Sequence, residues 1–174
     1  MDRQPTKDAF LSLVLKNRGI IIKICNSYCR NKADREDLAQ EITYQLWRSG
    51  KSFQADHTFS TWMYRIALNV AISFYRKEKK SEPMISMSEN EIDIEDKADG
   101  ADELEENINL LQQFISELKE LDKALMILYL ESKSYAEIAE ILGITETNTA
   151  TRISRIKDKL KQKFSTVKKE IWKT

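Results

Sequence analysis

Thr147, Asn148, Thr151, Arg152 and Arg155, with Lys159 one turn further on, fall on one side of a helix drawn through residues 145–163. Their hydroxyl, amide and guanidinium groups are those that hydrogen-bond base edges in the major groove or hold phosphates. A second set has a different character. Arg65, Asn69, Ser73, Arg76, Lys77 and Lys80 interleave polar hydrogen-bonders with bases along a long helix, and Phe53 and His57 stand in the loop before it. Rings beside which bases unstack, next to cations that follow the backbone, are what a single-strand groove needs. A third set, Asp37, Glu41, Tyr44 and Arg48, makes a charged and aromatic stripe that suits a partner protein, although such a stripe alone is more often a solvated face.

Catalytic chemistry is not indicated. The sequence offers no nucleophile with an adjacent base, no paired catalytic carboxylates and no phosphate loop, and its single histidine leaves little for general acid–base work. Cys25, Cys29 and the distant His57 make a poor zinc site, because structural zinc usually takes four protein ligands. Neither a metal nor a cofactor is expected, and the two thiols read as core residues.

The elements that position the first set are legible locally. Ser134 can cap a helix while Glu137 reaches back to the free amide, and Gly143 supplies a left-handed residue to end it. Thr145 then caps a second helix whose inward side is Thr149, Ile153, Ile156 and Leu160. Helix, short Gly-centred turn and polar second helix read as a helix-turn-helix with the second helix as reader. Ile108, Leu111, Ile115 and Leu118, then Leu121, Leu125, Leu128 and Tyr129, predict two helices that carry it.

Nearer the start, Phe10, Leu13, Val14, Ile21, Ile24, Cys25 and Tyr28 recur at helical intervals, and Gly19 either separates two helices or bends one. Asp34 is a plausible cap for the next helix, with Leu38, Ile42 and Leu46 inward. Phe59, Trp62, Met63, Ile66, Val70 and Phe74 then mark the inward face of a long helix, which leaves Phe53 and the basic end for nucleic acid.

The 174 residues carry no formal net charge, which at first argues against a nucleic-acid partner. The distribution reverses that. Between Glu82 and Glu106 there are eleven acids and one base, Lys97, whereas from Ala150 to Thr174 nine bases stand against Asp158 and Glu170. With Pro83 and Gly100, the acidic stretch reads as a flexible tether that cannot bury enough apolar surface to fold alone. The expectation is all-α: two small helical domains, residues 1–80 and 104–174, joined by an acidic linker over residues 81–103. The longest apolar run near the start, Ile20 to Ile22, is too short to span a membrane and no signal peptide is evident, which predicts a reducing cytoplasm and no membrane insertion.

The order of segments resembles a known family. DREDLAQE, then FSTWMYRIALNVAISFYRKEK, then an acidic gap, then SYAEIAEILGITETNTATRISRIKDKLK is similar to a bacterial sigma factor of the extracytoplasmic-function (ECF) type, over roughly Phe10 to Lys163. The resemblance implies that the helix with Asp37, Leu38, Gln40, Glu41 and Tyr44 docks on core RNA polymerase. It implies that the loop from Lys51 to Thr58 and the helix from Phe59 to Lys80 melt the start-proximal promoter element and hold the extruded strand. It implies that the helix from Thr145 reads the upstream element as duplex, and that an anti-sigma factor is a further partner. In the family the linker threads through polymerase near the RNA path, where acids would mimic nucleic acid or repel transcript.

Some positions depart from the family pattern. Thr149 stands where an aliphatic is usual, Ala150 where a base is common, and Leu68 where a base often precedes Asn69, making the strand-opening surface less cationic. Two other functions compete with a polymerase subunit: a stand-alone regulator that binds duplex by itself, and a helical adaptor whose basic face engages an acidic protein.

Overall fold

Among the residues that the computed structural model describes, 6–53, 58–81 and 103–171, the chain forms eight α-helices, one 3₁₀ turn and no strand. The first half holds α1 (Lys7–Lys16), α2 (Arg18–Tyr28), α3 (Lys32–Ser49), a 3₁₀ turn at Gly50–Ser52 and α4 (Phe59–Ser81). The second holds α5 (Glu103–Ser116), α6 (Glu120–Leu130), α7 (Tyr135–Leu142) and α8 (Glu146–Ile171). Residues 82–102 of the expected acidic tether, His57 and Trp172 lie outside the described residues, and the tether's two end residues, Ser81 and Glu103, are helical.

Two boundaries differ from expectation. The break between α1 and α2 is at Asn17, where the side-chain Nδ2 donates to the Leu13 carbonyl at 2.8 Å, while Gly19 sits inside the first turn of α2. An asparagine that bonds its own backbone competes with the helical ladder, and glycine there is merely tolerated. Likewise α3 is capped by Asn31 rather than Asp34: Asn31 is extended and its Oδ1 accepts from the Asp34 amide at 2.8 Å. Asp34 thus falls in the first turn, where its charge suits the helix dipole.

The first-half core is Ile24, Leu38, Ile42, Leu46, Met63, Ala67 and Leu68, all without solvent exposure. Beside it, Phe10 stands edge-on to Trp47, Phe59 and Trp62 at centroid distances of 6.3, 5.9 and 5.9 Å. The rings bring Phe10 so close to Gly50 that a Cβ there would lie 2.9 Å from the Phe10 ring. In the second half Leu125, Leu128, Ile138, Thr149 and Ile153 are buried completely, and Ile108, expected inward, is exposed at the start of α5.

The two halves do not stand apart. α6 and α7 pack on α4, and α5 and α6 pack on α2, so the buried residues form one continuous cluster. This double coverage shifts the phase of α4. Thr61, Met63, Tyr64, Ala67, Leu68 and Ala71 are its buried residues among those described, whereas Phe59, Trp62, Ile66, Val70 and Phe74, expected inward with Met63, are half-buried. Leu68 therefore lies in the core in this arrangement rather than on a strand-facing surface.

The contrast between glycines is testable by urea unfolding. Gly50→Ala should cost about 1 kcal/mol or more, because the packed Phe10 ring cannot withdraw. Gly19→Ala, with nothing within 4 Å of the added Cβ, should stabilise by up to about 1 kcal/mol.

Candidate nucleic-acid and polymerase interfaces

The helix-turn-helix forms as its local signals dictate. The Ser134 hydroxyl accepts from the Glu137 amide at 3.2 Å, and the Glu137 carboxylate accepts from the Ser134 amide at 2.8 Å. The Ser134 amide first, and then its side chain, hold the Glu137 carboxyl below its ordinary range. Gly143 ends α7 at φ 68°, and Thr145 Oγ1 accepts from the Asn148 amide at 3.2 Å to start α8. Thr149 is accommodated in the core because its hydroxyl donates to the Thr145 carbonyl at 3.1 Å, leaving no buried donor unmet.

On the outward side of α8, Thr147, Asn148, Thr151, Arg155 and Lys159 are exposed, and the Thr151 hydroxyl donates to the Thr147 carbonyl. Arg152 is placed differently. Its guanidinium is half-buried and donates from both Nε and NH2 to one carboxylate oxygen of Asp122 on α6, at 3.0 and 2.8 Å. That contact ties α8 to α6, a role no local pattern could announce.

On α4, Arg65, Asn69, Ser73, Arg76 and Lys77 are exposed, with Lys80 on the final turn. Two of these side chains meet the second half. An Arg65 NH2 donates to the Glu140 carbonyl at 2.8 Å and lies 3.9 Å from its carboxylate, and Arg76 Nε donates to Glu120 at 3.1 Å. Phe53 is half-buried, edge-on to Phe59 and Trp62 at 5.3 and 5.4 Å, so the ring left over for nucleic acid leans on the aromatic cluster.

On α3, Asp37, Gln40, Glu41 and Tyr44 are exposed, and Glu41 accepts from Gln45 at 2.8 Å. Leu38 is fully buried and can serve a partner only by anchoring this helix. Trp47, not singled out from the sequence, is 54% exposed beside Tyr44 at 57%. Its spacing of three residues from Tyr44 was the available signal.

Among the described residues no group of three or more His, Cys, Asp or Glu could hold a metal ion, and no helix is long and apolar enough to cross a membrane. Cys25 and Cys29 are buried and not joined in a disulfide, and burial pushes the Cys25 thiol up to about 11.

Comparison with known proteins decides the family. Residues 13–81 match the family described as Sigma-70 region 2, and residues 108–160 match Sigma-70, region 4. The ECF RNA polymerase sigma factor SigW of Bacillus subtilis is 31% identical over 169 residues, covering 91% of this chain and 90% of the relative. The chain belongs to the ECF family of RNA polymerase sigma factors. The ECF RNA polymerase sigma-E factor of Haemophilus influenzae is 28% identical, covering 93% of this chain and 90% of the relative. The fold agrees: the sigma factor RpoE of Bartonella quintana, solved with the anti-sigma factor NepR, superposes with a TM-score of 0.69 at 22% identity over 90% of this chain and 96% of that one. CnrH, solved with the cytosolic domain of CnrY, superposes with a TM-score of 0.65 at 18% identity over 92% of this chain and 90% of that one. As an alternative sigma factor the chain directs transcription initiation, and its relatives are sigma factors rather than catalytic enzymes.

The two α8 arginines should separate in a stability measurement on the sigma factor. A double-mutant cycle of Arg152→Ala and Asp122→Ala should give a coupling of about 1 kcal/mol. Arg155→Ala should stay within about 0.5 kcal/mol of wild type. A coupling of zero would show that the Asp122 contact contributes nothing to holding α8.

Proposed function

We propose that this sigma factor docks on core RNA polymerase through the outward face of α3, holds the melted start-proximal strand along α4, and reads the upstream promoter element with the first turns of α8. The observation that carries the reading is the placement of Thr147, Asn148, Thr151, Arg155 and Lys159. They stand together, exposed, on the helix that follows the Gly143 turn of a helix-turn-helix. Such a helix presents base-reading groups at its amino-terminal end and cations further along, the order that major-groove docking needs. Arg152 belongs to this set by position and reaches DNA only at the cost of its contact with Asp122.

Tyr44 with Trp47 gives α3 the exposed aromatic centre typical of residues that carry interface energy, and Asp37, Gln40 and Glu41 surround it with polar groups. Asn69, Ser73, Lys77 and Lys80 on α4, with Arg65 and Arg76, supply hydrogen bonds and charge for a single strand, and Phe53 lies at its entry, four residues before His57 in the sequence. In domain terms, residues 1–80 engage polymerase and the start-proximal element, residues 81–103 tether, and residues 104–174 engage the upstream element. The chain contributes no catalytic group of its own and works in the cytoplasm beside its polymerase. Because the similar chains RpoE and CnrH were solved with NepR and CnrY, a protein inhibitor of the anti-sigma kind is a further partner. The stand-alone regulator is disfavoured, since it leaves the α3 and α4 faces without a purpose.

In complex with core polymerase, Arg155→Ala should cost about 1 to 3 kcal/mol at the upstream element and relax its specificity. Lys159→Ala should weaken binding evenly across sequences and lower the salt slope by about one. Unaltered upstream-element use by Arg155→Ala at several salt concentrations would remove α8 from the reading role.

A further inference from the structure

Two arginines stand in the outward row of α8, and the fold treats them differently. Arg155 is exposed and meets no acceptor among the described residues. Arg152 is four residues after Asn148 and three before Arg155, which places it in the same row. It is also three residues after Thr149 and four before Ile156, both buried, so it stands at the inner border of the row, beside α6.

At that border Asp122 takes it. Nε and NH2 of Arg152 both donate to Oδ1 of Asp122, and the two side chains are 33% and 17% exposed. A pair so far withdrawn from water is screened less by salt than one on the open surface. Asp122 lies in the first turn of α6, where the helix dipole favours its charge. That turn is itself fixed. Lys123 is 2% exposed, with its ammonium 5.0 Å from the Tyr28 ring centroid on α2 and 5.1 Å from that of Tyr75 on α4, and the Tyr28 hydroxyl donates to the Glu120 carbonyl at 2.6 Å. A guanidinium binds carboxylate and phosphate with the same donors, so a carboxylate fixed here competes with DNA for them.

We infer that Asp122, a residue outside the reader helix, sets what α8 reads by holding Arg152 off the promoter. The inference rests on the assignment of α8 to the upstream element. It makes Asp122 a specificity-determining residue that acts through Arg152: Asn148, Thr151 and Arg155 read the element while a second guanidinium of the same row is kept out. A cation free to pair with any phosphate raises affinity for every sequence alike. Withholding it leaves a larger share of the binding to base contacts.

The test assembles the full-length chain with core RNA polymerase on a promoter fragment that this complex uses, and on the same fragment randomised across its upstream element. Asp122→Asn keeps the side-chain shape and removes the charge. It should tighten binding about threefold to tenfold, and either steepen the salt slope by about one or add a guanine to the selected sequences. Arg152→Ala should change affinity by less than about twofold and leave the selected sequences as they are. Adding Arg152→Ala to Asp122→Asn should abolish the gain, whereas a gain from net charge alone would persist and overturn the inference. Both single variants break the contact, so loosening of α8 would weaken binding in both. Weaker binding by both, whether from loosening or because Asp122 aims Arg152 at DNA, would also overturn it. Selected sequences that ignore Arg155→Ala would instead remove α8 from the reading role, and the inference with it.

Discussion

Everything in this chain depends on α4 being covered from two directions. α2 and α3 pack against it from the first half, and α6 and α7 pack against it from the second. Two helical units that could each be separate thereby share one hydrophobic cluster. The cost of that sharing is visible in its chemistry: the seat between α2, α4 and α6 is filled by the ammonium of Lys123 rather than by an aliphatic side chain. Ion pairs at the rim, such as Arg76 with Glu120, are each worth little in water and exchange readily for another anion.

The same constraint connects stability to function. Within each half the packing is apolar and close, as Phe10 against Gly50 illustrates, so each proposed contact face is carried on a close-packed support. Between halves the packing is mixed, with Lys123 set among the buried apolar residues. α8 is held to α6 by Arg152 and Asp122, and α6 is also the helix that seats on α4, which mechanically links the outward faces of α8 and α4.

What could be read from the sequence was what is decided within four residues. Ser134 with Glu137, Gly143 and Thr145 act over one turn, and all three signals appear in the folded chain as expected. Where two residues offered the same local service, the outcome was less legible: Asn31 outcompeted Asp34 as the cap, and Asn17 rather than Gly19 broke the first helix pair. Contacts between distant elements were not legible at all. No local pattern marks Lys123 as buried, and Arg152 reads as a member of the outward polar row, because the tyrosines and the aspartate that hold them lie in other helices. On α4 the expected face, Phe59 to Phe74, does pack on the core, but the deeper one at Tyr64, Ala67, Leu68 and Ala71 was not legible, since helical periodicity assumes one buried face and this helix has two.

The most direct measurement is to mix the purified chain with bacterial core RNA polymerase, separate complexes by size, and map transcript starts on genomic fragments. The account predicts that the chain travels with core and that the complex starts discrete transcripts from fragments that core alone ignores. Failure to associate with core, together with tight specific binding of duplex DNA by the free chain, would contradict it.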